Sequence, residues 1–426
     1  MSDHITRVLW TSNIDLPAVA DDMGLSPTPY GGWLSLMTSS LARRPEFRIG
    51  VAMRSESSSF RQVEKNGITY FALPKQNDRF DVAQADVQKV LIEFAPDILH
   101  VEGAEMRHAR RFLSTWKGPR LLSMQGVLNG YANYELGFLP IVSMLNPLHP
   151  RIMLTALALL FQRQLQFVPR LASERAAMRS ADHIMGRTLW DQAQAKALSP
   201  DARYHHCARI LRDVFYTSTW AGGDCERFSI FIGNGAAARK GAHFAVQALG
   251  HLLRDFPDAT LHIAGQDPRS LSWKSLKRHV GYPVYLLELI RKLGVEDNVR
   301  FTGVLNAQQM ADQMKSSHVC LMASIIENSP NTLGEAMILG VPTVSAYAGG
   351  APSMARDEVE ALFYRPDDPA MLAFQIRRIF EDPTLAKRLS EAARARALKT
   401  HEPARNLADL IAAYEAIMKR QAGGAA

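Results

Sequence analysis

Along almost the whole chain, short apolar runs alternate with stretches whose apolar residues recur at helical spacing. That alternation limits the possible folds more than any single motif does. Each apolar run reads as a strand, and each amphipathic stretch as the crossover that returns the chain to start a parallel neighbour. In the first half the strand candidates are Thr6–Trp10, Arg48–Met53, Ile68–Leu73, Asp97–Val101, Arg120–Met124 and His183–Gly186. Between them, Val82–Phe94 places Val87, Val90, Leu91 and Phe94 on one helix face. The second half repeats the scheme with strands at Phe228–Ile232, Thr260–Ala264, Val299–Gly303, Val319–Ala323 and Thr343–Ala346. Helical patterns at Ala242–Arg254, Val284–Leu293, Ala307–Lys315 and Asn331–Leu339 separate them, and Tyr216–Arg227 is the linker candidate. A chain of 426 residues exceeds one ordinary core. The pattern therefore predicts an α/β protein of two doubly wound domains, followed by an amphipathic helix through Leu407, Leu410, Ile411, Tyr414, Ile417 and Met418.

Bulk properties exclude several classes. The segment MSDHITRVLWTSN lacks a basic stretch followed by an apolar one, so no secretory signal is expected there. Cys207, Cys225 and Cys320 are sparse and lack metal-ligand spacing, which reads as free thiols in a reducing, cytoplasmic setting. A net charge of +7 suits anionic partners without selecting one. No nucleic-acid-binding module is recognisable, so no nucleic-acid partner is expected. Gly137–Arg170 is apolar but broken by prolines and arginines, and its longest clean run, Ile152–Phe161, falls short of the ~20 residues that span a bilayer. It reads either as a buried helix or as an interfacial one making peripheral contact with the inner face of a membrane.

The stretch Ile232–Gly241, IGNGAAARKG, follows a strand and precedes a helix. Gly233, Gly235 and Ala238 fit the fingerprint of a dinucleotide-binding turn. A dinucleotide site also asks for an acidic residue about 20 positions on, ending the next strand. Asp255 and Asp258 come before that strand instead, and its end reads AGQD. Further on, Glu327 lies in a loop leaving a strand and Glu335 in the helix that follows, with Pro330 suited to the first turn and Gly340-Val-Pro342 ending the helix. Amides at Asn331, Thr332 and Leu333 then form an anion site at a helix N-terminus. A carboxylate on either side of a diphosphate site suits a ligand with hydroxyls on both sides, a sugar nucleotide.

With Glu327 and Glu335 spaced as E-x7-E, the chain resembles the family-four retaining glycosyltransferases of the GT-B fold. The resemblance extends through YGGW (Tyr30–Trp33), DILHVEG, RKG, LHIAGQ, VRFTGV and the closing helix, and GRTLWD…RYHHCARILRDVFY is similar to members that build polysaccharides or glycolipids. It implies two Rossmann-like domains facing each other across a cleft. Residues 1–215 form the acceptor-side domain, 216–402 the nucleotide-sugar domain, and 403–426 a helix packing back on the first. It further implies transfer of a sugar, with retention, from a nucleoside-diphospho-sugar to a saccharide or lipid-linked saccharide acceptor. Lys240, with Arg239 assisting, contacts the donor phosphates; Glu335 takes the ribose and Glu327 the transferred sugar. Gly31 and Gly32 let the backbone approach the donor. No metal or other cofactor is expected, because Lys240 and the helix N-terminus supply the positive charge. Two positions depart from the family pattern: Asn234 stands where an arginine is common, and Gln125 where a histidine is common. Gln125 can orient a sugar hydroxyl but cannot shuttle a proton. Those departures keep open a non-catalytic nucleotide-sugar-binding protein, alongside an epimerase on the same fold.

Overall fold

The computed structural model describes residues 5–25, 31–78, 80–272 and 274–424; Tyr30 of the YGGW motif lies outside them. The chain forms two compact units, each built on one sheet. The first comprises residues 1–130, 169–212 and 401–426, and the second residues 131–168 and 213–400.

In the first unit the strands are β1 (Thr6–Ser12), β2 (Phe47–Ser55), β3 (Arg61–Lys65), β4 (Ile68–Pro74), β5 (Ile98–Glu102), β6 (Arg120–Ser123), β7 (His183–Gly186) and β8 (Arg203–His206). Their order is β3-β4-β2-β1-β5-β6-β7-β8, parallel throughout except for the β3–β4 hairpin. The order reverses between β1 and β5, two fully central strands whose residues Val8, Leu9, Ile98 and Leu99 are all inaccessible to solvent. The second unit holds β9 (Glu226–Ile232), β10 (Thr260–Ala264), β11 (Val299–Gly303), β12 (Ser317–Met322), β13 (Thr343–Ala346) and β14 (Leu362–Tyr364). It is parallel throughout in the order β11-β10-β9-β12-β13-β14, and reverses between β9 and β12.

The units divide the chain differently from the expected 1–215, 216–402 and 403–426. Residues 131–168 belong to the second unit, where the helix Pro150–Gln162 packs against the helix Tyr282–Leu293. The expected linker is also anchored there: the Trp220 amide donates to the Leu339 carbonyl (2.8 Å) and its indole to the Ser317 carbonyl (3.0 Å). The closing helix, Pro403–Gly424, belongs to the first unit, where Leu410, Ala413, Tyr414 and Ile417 join Val8, Trp10 and Phe47 in one core.

His100 and His108 are the most deeply buried histidines of the first unit among the described residues. His100 shares hydrogen bonds with the Tyr414 hydroxyl (2.7 Å) and the Ser123 hydroxyl (2.6 Å). His108 sits three residues after Glu105, a pair whose spacing alone suits an exposed helix face. It is instead 1 % exposed, because the helix Arg107–Thr115 turns His108, Ala109, Phe112 and Leu113 into the core. Burial holds each imidazole neutral, with its pKa lowered to about 3. In the unfolded chain both take up a proton below about pH 6.5. Folded stability is therefore complete above that pH and falls as pH drops from about 6.5 towards 3, by about 2 kcal/mol per histidine at pH 5. Thermal melts at pH 7 and pH 5 will show a lower Tm at pH 5, and His108→Leu will narrow the gap. An unchanged gap in that variant sinks the assignment.

Candidate functional site

The site grows out of the point in the second unit where β9 and β12 diverge, the place where open α/β sheets hold ligands. After β9 the chain runs through Gly233–Ala237, makes a tight turn at Ala238–Lys240 and enters the helix Ala242–Leu252. Close packing within the protein accounts for the glycines. A Cβ on Gly235 would lie 2.3 Å from Ile263 Cγ2, and one on Gly233 2.8 Å from Thr332 Cγ2. Gly241 has φ of 73°, and a side chain there would meet the Ala323 carbonyl oxygen at 2.0 Å. The Ile325 amide also donates to the Arg239 carbonyl (2.8 Å). The loops after β9 and β12 are thus locked together before any ligand is considered, and the dinucleotide-like spacing needs no dinucleotide to explain it.

That locking brings Lys240 against Glu327. Lys240 Nζ donates to Glu327 Oε1 in an ion pair whose side chains are only 20 % and 16 % exposed. Burial opposes the charge on Glu327. The Lys240 and Arg239 cations, with hydrogen bonds from Lys240 and Ser324, outweigh it and hold the carboxyl below the usual carboxylate range. The backbone of Glu327 is fixed from the other side, where its carbonyl accepts from the Gly350 amide (2.9 Å). Gly349, at φ of 52°, makes room for that contact, since a Cβ there would sit 1.9 Å from the same oxygen.

The helix Asn331–Leu339 starts in front of this pair with no side chain capping its amino end. Pro330 precedes the helix and does not sit in its first turn as expected. Of the expected anion-site residues, Leu333 has its amide bonded to the Pro330 carbonyl (3.1 Å). Glu335 follows one turn on and is 2 % exposed. Asn234 is exposed, and its Oδ1 accepts from the Ala236 amide (3.0 Å), an Asx turn that shapes the loop.

Three contributors come from the segment that joins this unit from far upstream. The Tyr131 hydroxyl accepts from the Asn328 amide (3.0 Å), and Glu135 Oε2 lies 3.5 Å from Arg239 Nε. Gly137 packs on the backbone of Ala238, and its carbonyl pairs with His243 Nε2 (2.9 Å). Nothing in the periodicity of the sequence marks them. The remaining candidates, Gly31, Gly32 and Gln125, belong to the first unit. Gly31 precedes the helix Gly32–Ala42 at φ of 86°, where a Cβ would press on Ile14 and Leu16 at 3.0 Å each, whereas a Cβ on Gly32 would make ordinary contact with Arg212. Gln125 follows β6, half-buried.

Residues 223–396, which hold the whole β9–β12 site apart from the upstream segment, match the family model described as Glycosyl transferases group 1. A relative in sequence is the D-inositol 3-phosphate glycosyltransferase of Streptomyces bingchenggensis, 29 % identical over 148 residues, which are 32 % of this chain and 31 % of that protein. The match thus spans about a third of the relative's length. Among solved structures, sucrose-phosphate synthase from Thermosynechococcus elongatus aligns over 99 % of this chain and 100 % of its own at 15 % identity, with a TM-score of 0.73. HepE from Anabaena, solved in complex with UDP, aligns over 96 % of this chain and 100 % of its own at 15 % identity, with a TM-score of 0.64. At such identities the likeness is one of fold. The stretch that matches the family model therefore sits in a two-domain α/β chain of the GT-B fold, as expected.

Proposed function

We propose that this protein is a glycosyltransferase that moves a sugar from a nucleoside-diphospho-sugar to an acceptor hydroxyl. The observation that carries the reading is the meeting of Lys240 and Glu327 where β9 and β12 diverge, ahead of the helix Asn331–Leu339. A donor diphosphate placed there takes Lys240 and the amides of Asn331 and Thr332 as its counter-charge, with Arg239 beside them. Glu327, released from Lys240, then faces the transferred sugar and favours positive charge at its anomeric carbon. Glu335 receives the ribose hydroxyls. Gln125 orients an acceptor hydroxyl, and Gly31 and Gly32 leave the backbone open to the donor. These cations and amides neutralise the leaving group without a metal. The resemblance to the family-four retaining enzymes supports retention of configuration. The apolar Gly137–Arg170 segment, with the GRTLWD…RYHHCARILRDVFY resemblance, supports an acceptor that is a saccharide or lipid-linked saccharide of a cell-surface polymer or glycolipid.

The test is a thermal-shift series with UDP-, GDP-, ADP- and dTDP-sugars and NAD, followed by product analysis on the donor that binds. A ligand that binds the folded protein raises Tm by mass action, by about 2.7 kcal/mol of stabilisation at a hundredfold excess over Kd. One sugar nucleotide is expected to shift Tm, to lose that effect in Lys240→Ala and Glu335→Ala, and to be turned over in the presence of EDTA. A shift with NAD alone overturns the reading. Binding without turnover under any acceptor favours the non-catalytic alternative suggested by Asn234 and Gln125.

A further inference from the structure

The helix Pro150–Gln162 and the turn that extends it, Arg163–Phe167, bury one side and leave the other bare. Thr155, Ala156, Leu159 and Phe167 are buried. Leu154, Leu157, Phe161 and Leu165 follow one another at spacings of three and four and are all exposed, Phe161 by 66 %. The preceding segment adds Val142 and Leu148, exposed by 88 % and 82 %. A helix apolar on both sides belongs in a core or against another apolar phase. Among the described residues, no helix is long and apolar enough to cross a membrane.

The charge around this face is one-sided. No Asp or Glu occurs between Glu135 and Glu174, whereas Arg151, Arg163 and Arg170 do. Arg151 reaches the Arg278 carbonyl (3.5 Å), which joins the helix to a second acid-free stretch lying between Asp267 and Glu288. That stretch presents exposed Lys274 and His279 around Leu276. Apolar side chains flanked by cations, with acidic residues excluded over two stretches separated in sequence, match the surface of an anionic bilayer. A second copy of this chain would bring the same positive charge to the contact.

We propose that this face docks on an anionic lipid surface, the leucine and phenylalanine stripe entering the acyl boundary and Arg151 and Lys274 meeting lipid phosphates. The test is vesicle flotation of the full chain without donor, on phosphatidylcholine alone and on phosphatidylcholine with phosphatidylglycerol at 7:3. Co-flotation is expected with the anionic vesicles only, reduced by salt. Leu157→Gln with Phe161→Gln is expected to cut the bound fraction at least tenfold with Tm unchanged. Arg151→Gln and Lys274→Gln should each weaken binding about fivefold. Absence of flotation, or equal flotation on neutral vesicles, overturns the proposal. So does a concentration-dependent doubling of mass that the Leu157→Gln and Phe161→Gln pair abolishes, which would assign the face to a second copy. None of these readouts depends on transfer activity, so the reading of the β9–β12 site stands or falls separately.

Discussion

Alanine at Lys240 is expected to lower kcat for sugar transfer by about 10²–10³-fold, the usual cost of removing one preorganised charge from a developing anion. Lys240 is mostly buried, held by the tight turn Ala238–Lys240, and its amine is already in the site. Little reorganisation is then needed when the diphosphate departs. The substitution also strips Glu327 of its nearest counter-charge and leaves Arg239 to hold its ionisation against burial. Both consequences act on one reacting centre, so Lys240→Ala combined with Glu327→Gln should cost much less than the sum of the two single changes. Steady-state kinetics at saturating acceptor, with melts to confirm folding, decide the matter. A loss below tenfold would remove Lys240 from the chemistry.

Glu335→Gln should act on binding. Glu335 is 2 % exposed inside the helix Asn331–Leu339, so an isosteric amide keeps the packing while removing the charge. Hydrogen bonds from hydroxyls to a carboxylate contribute about 1.5–3 kcal/mol, which predicts a donor Kd raised roughly 10- to 100-fold. Calorimetric titration with the nucleotide sugar reads this directly, and inorganic diphosphate serves as the control. If Glu335 holds the ribose, diphosphate binding stays as it was. An unchanged donor Kd would reduce Glu335 to a structural residue.

The parts of this architecture that bury an apolar run were legible in the sequence. His183–Gly186, Thr260–Ala264, Val299–Gly303 and Thr343–Ala346 are strands with the expected bounds, and the helix Asn331–Leu339 has the expected bounds too. The strands that escaped notice lack such a run. β3 is polar and largely exposed at the sheet edge, β8 reads Arg-Tyr-His-His, and β14 has only three residues. The site divides in the same way. Lys240, Glu327 and the helix N-terminus lie in contiguous stretches whose spacing carries chemical meaning. Tyr131, Glu135 and Gly137 reach that site through tertiary packing with partners 197, 104 and 106 residues on, and one sequence holds no sign of it. The roles of the Gly-rich loop and of Gly349 needed coordinates too, because their close approaches are to the protein's own backbone and side chains.

The path of the chain between the units has a bearing on how the protein is made. The boundaries at residues 130/131, 168/169, 212/213 and 400/401 give neither unit an uninterrupted stretch of polypeptide. Domains of most multidomain proteins mature on the ribosome one after another as each leaves the exit tunnel. Here the first unit cannot finish until Leu410, Tyr414 and Ile417 have emerged to complete the core around Val8 and Trp10. Residues 131–168 meanwhile wait for a sheet that has yet to be translated. A nascent chain of this protein therefore carries two unfinished cores through much of its synthesis, and a product cut short before residue 401 leaves the first core without its closing helix.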